Sequence, residues 1–290
     1  MTPEAAALAC VPGAATGPVE LRALAGGLTN RSFLVATPRG RYVLRLGAGA
    51  DSLLAIDRRA EAAAQGLAAA AGIAPEIVHA DPAAGLLVTQ YVAGQVWSDA
   101  DFDDPRNIDR LGEVLRRLHA VDTIGTAGLA RLDRLETARG YVERIAAAAP
   151  AERAGLERLL AAAATVEAQV ASDSRPVALV HSDLHGSNLV DDGEQLWLID
   201  WEYAALADPL HDVACVLAYQ PRAQRHGQRL LGALGLGRDV TAPMLAAAAW
   251  MFELLVYLWY RARRLAVPPS AAVLAAERRA QRMLVHNRNL

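Results

Sequence analysis

The sequence predicts an α+β fold in two lobes, a small antiparallel sheet with one helix followed by a larger, mostly helical body. Three observations carry this. Residues 19–92 alternate short β-rich runs with Gly and Pro turns, and almost everything after residue 93 has helical spacing or is alanine-rich. One strand–loop–hairpin passage, residues 177–200, interrupts the helical part. The expected lobes are residues 1–93 and 94–290. Hydrophobic residues make up 53% of the 290 positions and charged residues 21%, the balance of a folded globular chain.

In chain order, β-rich runs at 19–24, 32–36 and 41–46 flank a glycine-rich turn at 25–30 and a second turn at 37–40. Glycines such as Gly27 between strands let backbone N–H groups approach phosphate oxygens, and Thr29 and Asn30 add side-chain donors. Gly-rich turns also join hairpins of every kind, so both readings stand here. Arg45 alternates to the face opposite Leu44 and Leu46, and an inward cation needs a partner. The alanine-rich helix expected at 53–71 offers Glu61, either as that partner or as an exposed residue on a solvated face. Further strands are expected at 76–80 and 86–92. Gln90, Tyr91 and Val92 close the last strand and Gly94 follows, as suits a connector between lobes.

The later helices are expected at 106–121, 138–149, 151–171, 213–219, 224–234, 243–265 and 271–289. The first carries the apolar stripe Ile108, Leu111, Leu115 and Leu118, with His119 as a C-terminal histidine.

The passage with most chemistry is VALVHSDLHGSNLVDDGEQLWLID, residues 177–200. A buried strand delivers the loop from His181 to Asn188. A hairpin turning at the Asp-Asp-Gly of 191–193 then returns to Asp200. Asp183, Asn188 and Asp200 thus converge on strand ends. Such hard oxygen donors suit Mg²⁺, with one carboxylate left for a substrate. The spacing His-x-Asp-x₄-Asn, followed by a strand ending in Ile-Asp, is that of a kinase catalytic loop and its metal-binding Asp. His181 and Asp212 read as braces of this loop, and His185 as a phosphate contact or, preferably, another brace.

Composition excludes several classes. The net charge of −3 leaves no basic footprint for nucleic acid. All 29 cationic residues are Arg, which excludes a Walker A loop and Schiff-base chemistry. Cys10 and Cys215 show no metal spacing and read as reduced thiols of a cytoplasmic protein. The first residues lack the basic start of a secretory signal. The window 245–260 is interrupted by Glu253 and reads as a buried helix, so neither a membrane nor a nucleic acid is expected as partner. Nothing in the sequence specifies an oligomeric state.

The passages GGLTNRSFLV, YVLRL, IDRRAEAAAQGLAAAAGIAPEIVHADPAAGLLVTQYVAG, HSDLHGSNLV and LWLIDWEYAALADPLHDVA, spread over residues 25–264, resemble the aminoglycoside phosphotransferase and choline kinase superfamily. Within it the chain is most similar to bacterial choline kinases and next to bacterial thiamine kinases. The resemblance implies a protein-kinase-like fold and an ATP- and Mg²⁺-dependent transfer of phosphate to an alcohol. By position, it implies that Asp183 is the catalytic acid–base group and that Asn188 and Asp200 are Mg²⁺ ligands. Arg45 and Glu61 would form the phosphate clamp, residues 26–30 would cover the phosphates, and Gln90, Tyr91 and Val92 would supply the hinge backbone for the adenine. The chain departs from protein kinases in lacking G-x-G-x-x-G, in Arg for the strand Lys, and in Trp-Glu after the metal Asp. An Arg binds phosphate bidentately, so the clamp geometry should differ.

For the acceptor, Trp250, Glu253, Tyr257 and Tyr260 share a helical face by spacing, and Trp201, Glu202 and Tyr203 follow Asp200. Aromatic faces near carboxylates attract a quaternary ammonium, and they are also ordinary core material. The resemblance favours a small-molecule cationic alcohol, choline or ethanolamine. Thiamine, an aminoglycoside, and a nucleotide-binding protein without turnover are the alternatives.

Overall fold

The computed structural model of the chain describes residues 3–24, 27–47, 49, 51–170 and 175–286. Ala25 and Gly26 of the glycine-rich turn, the C-terminal residue of the helix expected at 151–171, and residues 287–289 of the last expected helix lie outside these.

A short helix α1 (Pro3–Leu8) precedes β1 (Glu20–Leu24), β2 (Asn30–Thr37) and β3 (Gly40–Gly47), then α2 (Asp51–Leu54) and α3 (Arg58–Ala70), and β4 (Ile77–Asp81) and β5 (Leu86–Gln90). The five strands form an antiparallel sheet in the order β1-β2-β3-β5-β4. The helix expected as one piece at 53–71 is two. Ala55 adopts φ 59° and Asp57 caps α3 by accepting from the N–H groups of Arg59 and Ala60 at 2.9 and 3.2 Å. Val35, Leu44 and Val88 are buried in a small core of this sheet, against Ala7 and Val11.

The chain crosses into β6 (Gln95–Val96), then α4 (Pro105–His119), α5 (Arg134–Ala148) and α6 (Arg153–Val170). The predicted stripe of α4 is buried, with Ile108, Leu111, Leu115 and Leu118 all inaccessible. Next come β7 (Ala178–Val180), β8 (Leu189–Asp191), β9 (Leu196–Leu198) and β10 (Ala205–Ala207), and then α7 (Leu210–Tyr219), α8 (Gly227–Ala233), α9 (Ala242–Ala266) and α10 (Ala271–His286). β6, β8 and β9 form one small sheet, and β7 pairs with β10 in another. β10 was not expected, because its Ala-Leu-Ala has no strand character and only pairing with β7 defines it. α9 is long and apolar enough to cross a membrane, with a mean hydropathy of 1.5. Half of that window is buried against α5, α6, α7 and α10, so it is the core helix of the second lobe.

Candidate active site

The loop from His181 to Asn188 hangs from β7 and is held by its neighbours' side chains. Asp212 of α7, wholly buried, accepts from the backbone N–H of His181 (3.1 Å) and of Ser182 (2.9 Å), and its other oxygen lies 2.9 Å from His119 Nε2. These bonds hold Ser182 at φ 67°, a left-handed conformation that a non-glycine residue keeps only when its surroundings impose it. His181 donates from Nε2 to Ile199 O (3.0 Å) and accepts the Asp183 N–H at Nδ1 (3.3 Å), so its tautomer is fixed by the loop. The Trp201 ring stands edge-on to His181 at 4.7 Å. Gly186 is required here, because a Cβ would lie 2.5 Å from Trp97 O.

Three predicted residues come together around the loop. The Asn188 amide donates to the Asp183 carbonyl and to Asp183 Oδ2, at 2.8 and 2.9 Å. Pairing of Leu189 with Leu198 and an Ile199 N–H to Asn188 O bond of 3.0 Å bring the hairpin's end, and so Asp200, back to that place. Asp200 too has a left-handed backbone, φ 65°. Arg45 bridges across the lobes, bonding Glu61 on α3 and Asp200 Oδ1. Glu61 is thus a buried partner of Arg45, 2% exposed, and not a surface residue.

The glycine-rich turn does something the sequence did not disclose. Thr29 Oγ1 and Asn30 Nδ2 donate to the two oxygens of Glu202 at 2.6 and 2.8 Å, and Arg58 reaches both Glu202 (3.2 Å) and Glu61 (3.0 Å). Side chains expected to meet phosphate therefore clasp the second lobe. Gly27 allows the turn, since a Cβ would sit 2.6 Å from Asn30 O. Burial and the charge of Asp200 push the Glu202 carboxyl up to about 7, against the pull of Arg45, Thr29 and Arg58. At Asp183 burial acts upward as well, but His185, His181 and Asn188 outweigh it and hold the carboxyl below its ordinary value. His185, with Nε2 3.4 Å from Asp183 Oδ2, is raised by that carboxylate and by Asp200 despite the opposing effect of burial.

A cavity of about 810 Å³ joins these parts. At the first-lobe end it is lined by Val43, Leu87, Thr89 and the connector Gln90, Tyr91 and Val92. The Gln90 and Tyr91 N–H groups already bond Glu76 O and Arg41 O, and the Val92 N–H bonds nothing among the described residues. At the helical end the lining is Tyr141, Tyr203, Tyr219, Phe252, Trp259 and Tyr260, with Asp183, Asn188 and Asp200 between the two ends.

Several expected acceptor residues lie elsewhere. Trp250 is buried against α10, donating to Leu284 O at 3.2 Å. Glu253 is 1% exposed and pairs with Arg279 of α10 at 3.3 Å. Tyr257 packs between core clusters, and Trp201 is wholly buried under the loop with its indole N–H on Leu198 O. None of these four lines the cavity. Of the expected α9 residues Tyr260 does line it, beside Phe252, Leu255, Val256 and Trp259, whose helical spacing is the same, so periodicity could not choose between the faces. Tyr203 lines the cavity as expected, its hydroxyl accepting from Trp259 Nε1 at 2.6 Å. Tyr141, Tyr219, Phe252 and His211 line the cavity, and Arg58 ties Glu61 to Glu202, without having been singled out by the sequence. Arg58, adjacent to the Asp57 cap, was the one with a local signal.

The donor set can be tested for fit to Mg²⁺. With the Asn188 amide nitrogen turned to Asp183, its oxygen accepts no bond among the described residues, and neither does the second oxygen of Asp200. One amide and one carboxylate oxygen, with phosphate and water completing the shell, fit a hard octahedral cation. Among the described residues no cluster of three or more His, Cys, Asp or Glu side chains forms a site complete without phosphate.

Comparison with known proteins gives a consistent picture. The sequence model of a group described as the phosphotransferase enzyme family matches residues 20–248. A homoserine kinase from Methylobacillus flagellatus is 30% identical over 68% of this chain, and the match spans 62% of that relative's length. The protein LicA of Haemophilus influenzae is 27% identical over 66% of this chain and 56% of its own. Among solved structures, a choline/ethanolamine kinase family protein from Mesorhizobium loti superposes with a TM-score of 0.76 at 30% identity, covering 97% of this chain and 93% of the other.

Proposed function

The chain belongs to the phosphotransferase enzyme family, and from that membership we propose that it transfers the γ-phosphate of ATP to the hydroxyl of a small cationic alcohol of the choline or ethanolamine kind. The observation that carries this is the two-ended cavity. A nucleotide-sized cleft under the sheet meets a pocket of six aromatic side chains, and Asp183 stands at the junction. Aromatic faces attract an ammonium group by roughly 0.5–2 kcal/mol each. The similarity to a solved choline/ethanolamine kinase family protein supports the choice of acceptor. The homoserine kinase relative makes homoserine the next acceptor to try.

In this scheme Asp183 is ionised at neutral pH and receives the acceptor's hydroxyl proton as the oxygen forms its bond to the γ-phosphorus and the bond to ADP breaks. Little covalent work is asked of the protein in phosphoryl transfer, so a well-aimed carboxylate of low basicity suffices. His185 and Asn188 aim it. Asn188 and Asp200 would hold Mg²⁺, which when bound neutralises charge on the phosphate oxygens. In this reading the Val92 N–H, which has no partner among the described residues, would bond the adenine, and Arg45, held by Glu61 and Asp200, would reach phosphate.

The test is incubation with MgATP and, separately, choline, ethanolamine, homoserine, thiamine and kanamycin, reading ADP and the phosphorylated product by ³¹P NMR. Acceptor-dependent ADP release with choline or ethanolamine is expected. Release with kanamycin or thiamine alone would refute the acceptor class, and no acceptor-dependent release with any of them would refute the kinase assignment.

A further inference from the structure

His211, the second residue of α7, lines the helical end of the cavity, yet it is only 2% exposed. Its ring tilts against Phe252 with centroids 5.4 Å apart. Neither imidazole nitrogen has a hydrogen-bond partner among the described residues, and Nδ1 is fully enclosed. Buried polar atoms without partners are rare in folded proteins and usually mark a place for water or a ligand.

The charged groups that act on it are all engaged. Arg134 grips Glu167 through two nitrogens, at 2.9 and 2.6 Å. Asp212 is turned to the catalytic loop and His119. Asp208 is held by Arg175 at 2.7–3.0 Å and by the Leu210 N–H at 2.9 Å. Burial and the Arg134 charge bring His211 down to about 4, against Asp212 and Asp208, so the ring is neutral near pH 7. A neutral imidazole presents one N–H and one lone pair.

We propose that His211 reads the nitrogen of the acceptor, taking a hydrogen bond from a primary or secondary ammonium and so favouring amino alcohols that keep an N–H over fully methylated ones. This rests on the kinase reading of the cavity and narrows it. The aromatic rings attract any ammonium, methylated or not. The imidazole lone pair does not: a trimethylammonium group has no proton for it and leaves a buried acceptor unpaired. Sites built to hydrogen-bond a substrate group discriminate strongly against analogues that lack it.

The experiment measures kcat/KM for ethanolamine, its N-methyl and N,N-dimethyl derivatives and choline, in the wild type, His211→Phe and His211→Gln. The Phe variant keeps the ring and the packing against Phe252, and the Gln variant keeps a hydrogen-bonding group. In the wild type the value should fall from ethanolamine to choline. His211→Phe should lower the ethanolamine-to-choline ratio by about tenfold or more, mostly through KM for ethanolamine, with KM for ATP unmoved. His211→Gln should restore part of the ratio. A ratio unchanged in the Phe variant, or an equal loss for all four acceptors in both variants, would overturn the role of His211 while leaving the kinase assignment intact. A wild type inactive on all four acceptors would overturn the role of His211 together with the acceptor class, and the kinase assignment would fall only if homoserine, thiamine and kanamycin were also refused.

Discussion

The two ends of the cleft are built differently. Around Asp183 the loop is held by hydrogen bonds on every side: Asp212 holds the loop backbone, His181 is fixed at both nitrogens, and Asn188 is bonded twice to Asp183. At the helical end aromatic rings meet edge to face, Tyr219 with Phe252 at 5.2 Å and Trp259 with Tyr260 at 5.0 Å, and the His211 nitrogens have no hydrogen-bond partner among the described residues. A hydrogen-bonded web sets angles tightly, as a reacting centre needs. Stacked rings set a shape and a field but few directions, as suits a cation held by its surface.

The contrast can be broken most decisively at Asp183. Asp183→Asn should lower kcat by about 10²–10⁴ while leaving nucleotide affinity near that of the wild type, checked by steady-state kinetics and calorimetry with ATP. Wild-type turnover in this variant would mean that the tied end is not the reacting end. A smaller effect sharpens the other side. Tyr260→Ala should raise KM for the acceptor by about 2–30-fold, equivalent to one cation–π contact, with KM for ATP unchanged. Trp250→Phe, at a side chain buried against α10 and outside the cavity lining, should leave both constants alone. If the two variants behave alike, the aromatic end is not the acceptor site.

An effect on stability, with rate constants untouched, concerns Glu202, whose folded value of about 7 lies above the ordinary 4.5. As pH rises through this interval the unfolded chain loses the proton first, so the folded state loses stability between about 4.5 and 7 and regains none above. Glu202→Gln cannot ionise and lacks this slope. Urea unfolding at pH 5 and pH 7 should show the wild type falling relative to the variant, and parallel behaviour would contradict a raised carboxyl.

Legibility followed sequence distance. Asp183, Asn188 and Asp200 lie within eighteen residues, on a strand, loop and hairpin whose turn is spelled by Asp and Gly, and their convergence was readable. The two-lobed α+β fold was readable for the same reason, since local periodicity changes near residue 93. The bonds from Thr29 and Asn30 to Glu202 span more than 170 positions and leave no local trace. The lining of α9 failed for a different reason. That helix is apolar on nearly all sides, so Trp250, Glu253 and Tyr257 mark one plausible face and Phe252, Val256 and Trp259 another. Only the placement of α5, α6, α7 and α10 around it decides which faces are covered.

The crossover between the lobes has a mechanical corollary. Immediately after it, Gln95 and Val96 pair with Asp191 and Val190, and the Trp97 N–H bonds Leu189 O at 3.0 Å. The strand leaving the pivot is thus stitched to the hairpin bearing Asn188 and Asp200. Those two donors are therefore fixed to the start of the second lobe, and any rocking of the small lobe has first to break the bonds from Thr29 and Asn30 to Glu202 and from Arg45 to Asp200.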